Sequence, residues 1–62
     1  MKKIFRQLNR LAIGESAIIN GYHVRKVRMP DEYIMIVVCS QAYMLNTEMY
    51  TEDAAAYIAA NS

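Results

Sequence analysis

The run Ala17-Ile18-Ile19-Asn20-Gly21-Tyr22-His23-Val24 decides the architecture of this chain. Asn-Gly between two β-prone segments is the strongest short-range hairpin signal. Both residues accept positive φ, and the resulting type I′ turn matches the twist of the strands. A two-residue turn sets Ile19 opposite Tyr22, Ala17 opposite Val24 and Glu15 opposite Lys26 on one face. That face is expected to be apolar near the turn and ion-paired at its far end. The other face carries Ile18 with His23 and Ser16 with Arg25, and reads as the wet side.

Alternation slips beyond the hairpin. Val24 and Val27 have opposite parity, which predicts a bulge or the end of the strand within residues 25–28. Met29-Pro30-Asp31-Glu32 reads as a turn with proline at its second position. Residues 33–39, Tyr-Ile-Met-Ile-Val-Val-Cys, form a β-branched run that is apolar on both faces, and it is predicted to be the most buried strand. Ser40-Gln41 can turn the chain. Residues 43–50 fit either a fourth strand or an irregular arm.

Upstream, Ile4, Phe5, Leu8, Leu11 and Ala12 recur at helical spacing and predict an amphipathic helix over residues 2–12. Lys2, Arg6 and Arg10 line its opposite side, and Gly14 suits the position just past its end. Downstream, Thr51 is the expected N-cap of a last helix. Glu52 and Asp53 lie where the helix dipole favours acid, and Ala54, Tyr57 and Ile58 are expected to face the sheet. The fold class is therefore α+β. An N-terminal amphipathic helix and a C-terminal helix pack on a three- or four-stranded antiparallel sheet built around the Asn20-Gly21 hairpin. Residues 1–62 make a single domain.

Composition narrows the class further. The chain has 62 residues, 55% of them hydrophobic and 21% charged, which argues against disorder. No apolar run approaches the roughly 20 residues of a membrane span, and Arg6, Gln7, Asn9 and Arg10 interrupt any secretory signal after Lys2 and Lys3. Cys39 is the only cysteine, so no internal disulfide forms, as suits a reducing cytoplasm. One Cys and one His cannot supply four-ligand structural zinc. A domain of this size buries only about 60% of its unfolded surface. Without a staple it needs a very well packed core, a second copy or a larger partner.

Little here speaks for catalysis. His23 is the only imidazole and Cys39 the only thiol. The expected reading is a half-exposed hairpin histidine and an inert core cysteine. A dyad would require the two to meet across strands, with groups to orient the histidine and receive an oxyanion. Asp31 with Glu32, and Glu52 with Asp53, have structural explanations in a turn and a helix start. No calcium loop and no glycine-rich phosphate cradle is present. The chain is thus expected to be no enzyme, with no catalytic residue, cofactor or metal.

Charge and apolar surplus point instead to binding. Residues 1–28 hold seven basic side chains against one acid, and residues 29–62 hold five acids and no base. Lys2, Arg6, Arg10, Arg25, Lys26 and Arg28 are the candidate basic face. Tyr and Met are enriched at interface centres, so Tyr43, Met44, Leu45, Met49 and Tyr50 are the candidate partner-binding segment. The expected function is a small binding module that modulates or inhibits a macromolecular partner, a host protein or a second copy of itself, by protein–protein contact. One alternative is a nucleic-acid-binding regulator using the basic helix and residues 22–28. Another is a structural subunit of a larger assembly.

In style the chain resembles the small accessory proteins that phages encode to bind and redirect or block host machinery, anti-defence inhibitors among them. The resemblance rests on a staple-free α+β chain, lopsided charge and the ending Tyr50-Thr51-Glu52-Asp53-Ala54-Ala55-Ala56-Tyr57. It implies binding without catalysis in the host cytoplasm. It transfers no functional residue and selects no target.

Overall fold

A computed structural model describes residues 2–40 and 46–61. The described elements are α1 (Lys2–Arg10), β1 (Ser16–Ile19), β2 (Tyr22–Arg28), β3 (Ile34–Cys39), β4 (Asn46–Met49) and α2 (Thr51–Ala60). The four strands form one antiparallel sheet in the order β1-β2-β3-β4. Residues 46–49 are thus a fourth strand, while residues 43–45 lie outside the described residues.

The hairpin forms as its sequence dictates. Asn20 and Gly21 take φ of 49° and 86°, and Ile19 pairs with Tyr22, Ala17 with Val24, Ile18 with His23 and Ser16 with Arg25. Backbone pairing continues past β1, with Lys26 donating to the Glu15 carbonyl at 3.1 Å and Gly14 donating to the Lys26 carbonyl at 2.6 Å. The expected ion pair at this end is replaced by two separate contacts. The Glu15 carboxylate accepts from the Ala12 amide at 2.8 Å, and Lys26 Nζ donates to the Asn9 carbonyl at 3.1 Å.

Of the two expectations for residues 25–28, the strand end is met at Arg28 and the bulge is absent, because Lys26 holds the inward position. β2 pairs with β3 in unbroken register from His23↔Cys39 to Arg28↔Ile34. The inward position that alternation assigned to an apolar residue is held by Lys26, only 8% exposed. Its methylene stem crosses the core layer and delivers the ammonium to the end of α1. Val27 keeps its parity and faces the other side of the sheet.

Beyond β2, Glu32 donates to the Met29 carbonyl at 2.8 Å, closing the expected turn with Pro30 second. Glu32 has φ of 71°, the left-handed position of a three-residue hairpin loop where glycine is the usual occupant. The Asp31 carboxylate accepts from the Tyr33 amide at 3.3 Å.

Both helices lie on one face of the sheet. The core joins Ile4 and Leu8 of α1, Ile19, Val24, Ile36 and Val38 of the sheet, and Ala54, Ala55 and Ile58 of α2. α1 ends at Arg10, earlier than residue 12. Leu11 still packs on the core, but Ala12 is exposed and opens a turn in which Glu15 donates to its carbonyl at 2.9 Å. Gly14, with φ of 89°, serves that turn and not the helix end. At α2 the cap differs from expectation too. Tyr50 is the N-cap and makes no side-chain cap bond, and Thr51 is the first helical residue. Asn61 closes the other end, its Nδ2 donating to the Tyr57 carbonyl at 2.8 Å. Ala55 joins Ala54 and Ile58 in the buried stripe, while Tyr57 is half-buried and meets Tyr22 edge to face at 5.8 Å.

β3 is buried on one side only. Ile36 and Val38 are sealed under the helices at 0% exposure, whereas Met35, Val37 and Cys39 are half-buried on a face that no described residue covers.

Candidate protein-binding surfaces

α1 presents its polar side to solvent because its apolar stripe is committed to the core. Lys2, Lys3, Arg6, Gln7 and Arg10 border a shallow recess of about 430 Å³. The remaining basic candidates lie elsewhere. Arg25 projects from the opposite side of the sheet, where its Nε donates to Ser16 Oγ at 3.1 Å. Lys26 is buried and held to Asn9. Arg28 is exposed at the end of β2. The six basic residues therefore do not form one face. Arg25 and Lys26, adjacent in a strand, point to opposite sides of the sheet, so Arg25 cannot extend the α1 stripe.

A second groove runs between the helices. Lys2, Phe5 and Arg6 of α1 face Glu52 and Ala55 of α2 around about 370 Å³. Phe5 is 36% exposed and supplies an apolar floor, with cations on one wall and a carboxylate on the other. Sequence reasoning passed over this groove. Phe5 sits beside Ile4 at the margin of the α1 stripe, and that marginal position was the available signal. Glu52 and Ala55 come from the far end of the chain and meet Phe5 only through tertiary packing.

The expected partner-binding segment divides. Tyr43, Met44 and Leu45 lie outside the described residues. Met49 turns inward and packs on the core. Tyr50 is 51% exposed, and its ring meets Tyr33, itself 58% exposed, edge to face at 6.1 Å.

The sheet face that no described residue covers brings His23, Cys39 and Asn46 side by side on β2, β3 and β4. Cys39 is a free, half-buried thiol on this open face, not the core thiol expected from its apolar run. With Arg25 and Val37 the three border a recess of about 520 Å³. His23 and Cys39 are thus cross-strand partners on this face. Among the described residues no cluster of three His, Cys, Asp or Glu could hold a metal ion. No described helix is long and apolar enough to cross a membrane.

The fold is a two-layer α+β sandwich with both helices on one side of a four-stranded antiparallel meander. Comparison with protein families, curated proteins and solved structures finds no match to this chain.

Proposed function

We propose that this chain is a small non-enzymatic binding module, acting in the cytoplasm, that modulates or inhibits a protein partner docked in the groove between α1 and α2. The observation that carries the reading is the mixed character of that groove: Phe5 and Ala55 beneath, Lys2 and Arg6 on one wall, Glu52 on the other. An apolar floor flanked by opposite charges suits a polypeptide segment that offers a hydrophobic side chain beside an acid. It suits a nucleic-acid backbone poorly, because Glu52 repels phosphate.

Nucleic acid binding is the second reading, favoured by the recess bordered only by Lys2, Lys3, Arg6, Gln7 and Arg10. Affinity capture separates the two. Tagged protein is used at low and high salt, with and without nuclease, beside the Phe5→Ala and Arg6→Glu variants. A protein held in fixed proportion through nuclease and lost from both variants supports the first reading. Binding destroyed by nuclease and falling steeply with salt supports the second. A wild-type chain that retains neither refutes both.

A further inference from the structure

We infer that the open face of the sheet is covered by a second copy of this chain, stacked face to face about a twofold axis that runs along β3. This dimer is independent of the partner proposed for the helical groove, which lies on the other layer.

The face is built for burial. One-sided antiparallel sheets carry polar residues on the wet face. Here the central strand offers Met35, Val37 and Cys39, with Val27 beside them on β2. Ile18 is 65% exposed at one margin, and the Tyr33–Tyr50 pair stands at another. Single exposed apolar residues are ordinary, but a contiguous apolar patch bounded by polar groups marks an interaction site.

The charges select the partner and its orientation. Among the described residues of this face, the carboxylate is Glu48 and the guanidinium is Arg25. They flank Val37 at the same level, since Val37 pairs with Arg25 on one side and Glu48 on the other. Strands lie about 4.8 Å apart, so their backbones are separated by roughly 10 Å. Arg25 leans away from Glu48, its Nε bonded to Ser16. A twofold axis along β3 lays β2 of one copy over β4 of the other, so Arg25 of each copy meets Glu48 of its mate. The same rotation lays Val37 over Val37 and Cys39 over Cys39. An axis across the strands at the level of Val37 would set Arg25 over Arg25 and Glu48 over Glu48, opposing like charges. A self-complementary patch of this kind is what a closed twofold interface requires.

Stacked sheets lie about 10 Å apart and keep their strands nearly aligned. Four strands of 4, 7, 6 and 4 residues cover on the order of 350 Å² per copy. The total, on the order of 700 Å², lies below the stable class and within the range of weak, transient interfaces. The dimer is therefore reversible and concentration-dependent. It leaves both helical layers outward, each with its groove open.

Sedimentation velocity over about a hundredfold range of concentration reads the equilibrium directly. The expected result is a monomer that becomes a dimer. Val37→Lys, on the open face of the central strand, should abolish the dimer while circular dichroism stays native and the groove partner is still captured. Arg25→Glu alone and Glu48→Arg alone should each weaken association about tenfold or more. Mixing these two variants should restore it, because in the mixed dimer each of the two contacts across the interface again joins one acid to one base. A short bis-maleimide should join wild-type copies through Cys39 and fail on Cys39→Ser. A chain that stays monomeric at the highest concentration overturns the proposal. So does a dimer that survives Val37→Lys, or a mixture of the charge variants no tighter than either alone. The exposed charge variants keep the test valid if Val37→Lys does not fold.

Discussion

Lys26→Ala should cost this protein about a third of its stability, and Lys26→Met almost nothing. Lys26 is the one charged residue buried among the described side chains, at 8% exposure, with Nζ on the Asn9 carbonyl at 3.1 Å. Alanine removes its last three methylenes. At about 0.8 kcal/mol each this is about 2.4 kcal/mol of burial. The hydrogen bond adds about 1 kcal/mol. Release of the ordered lysine returns about 1.5 kcal/mol of side-chain entropy. The net loss is about 2 kcal/mol. A domain of this length holds roughly 3–9 kcal/mol in all, so the melting temperature should fall by about 8–16 °C. Methionine keeps the stem and removes the need to desolvate an ammonium. It frees only the carbonyl of Asn9, an exposed residue that water can serve. Its stability should stay within about 1 kcal/mol of wild type. Urea and thermal unfolding followed by circular dichroism measure both. If methionine loses as much as alanine, the ammonium contact and not the stem holds the site. If alanine loses under about 0.5 kcal/mol, the burial argument itself fails.

Other substitutions probe the turns and the helix end. Glu32→Gly should stabilise by about 0.5–1 kcal/mol in urea unfolding, because φ of 71° suits glycine. Gly14→Ala should destabilise by about 1 kcal/mol through φ alone, since nothing lies within 4 Å of the added Cβ, and a larger loss would show that the space is not open. Asn61→Ala should lower the thermal midpoint by a few degrees, about 0.5–1 kcal/mol, as the Tyr57 carbonyl loses its side-chain donor. Leu8→Ala, at 0% exposure, should cost about 2–5 kcal/mol in urea unfolding, the largest loss among these variants.

What the sequence disclosed was local, and what it withheld was tertiary. Asn20-Gly21 fixes turn type, register and face together, so the hairpin was legible to the residue. The opposite parity of Val24 and Val27 predicted a bulge or a strand end within residues 25–28; β2 does end at Arg28, and the inward position between the valines is filled by Lys26. Its four-carbon stem satisfies an inward position as well as an apolar residue does, and only the Asn9 carbonyl above it makes this possible. The end of α1 was placed late because Leu11 and Ala12 continue the helical spacing. The Glu15 side chain, reaching back to the Ala12 amide, turns the chain first. Thr51 carries a capping hydroxyl that the chain does not use, because the helix begins one residue sooner. β3 shows the deepest ambiguity. A strand apolar on both faces has the same sequence whether one face is covered or two, and here the helices take only one. The site followed the same rule. The α1 stripe was readable as Lys2, Arg6 and Arg10, but the groove needs Phe5 and Glu52 in one place, and no local pattern announces that meeting.

The order of the sheet also governs how the chain assembles. Each strand pairs with its neighbour in sequence, so every hairpin closes over a short loop and little chain entropy is lost at each step. Folding on the order of milliseconds is expected for such local pairing in a mixed α/β domain. The exception is the contact between α1 and α2, which joins opposite ends of the chain. During folding the meander can zip early, yet the inner face of Val24, Ile36 and Val38 stays unsealed until α2 delivers Ala54, Ala55 and Ile58. The folding chain is therefore most prone to aggregation in the interval after its sheet has closed and before α2 has docked.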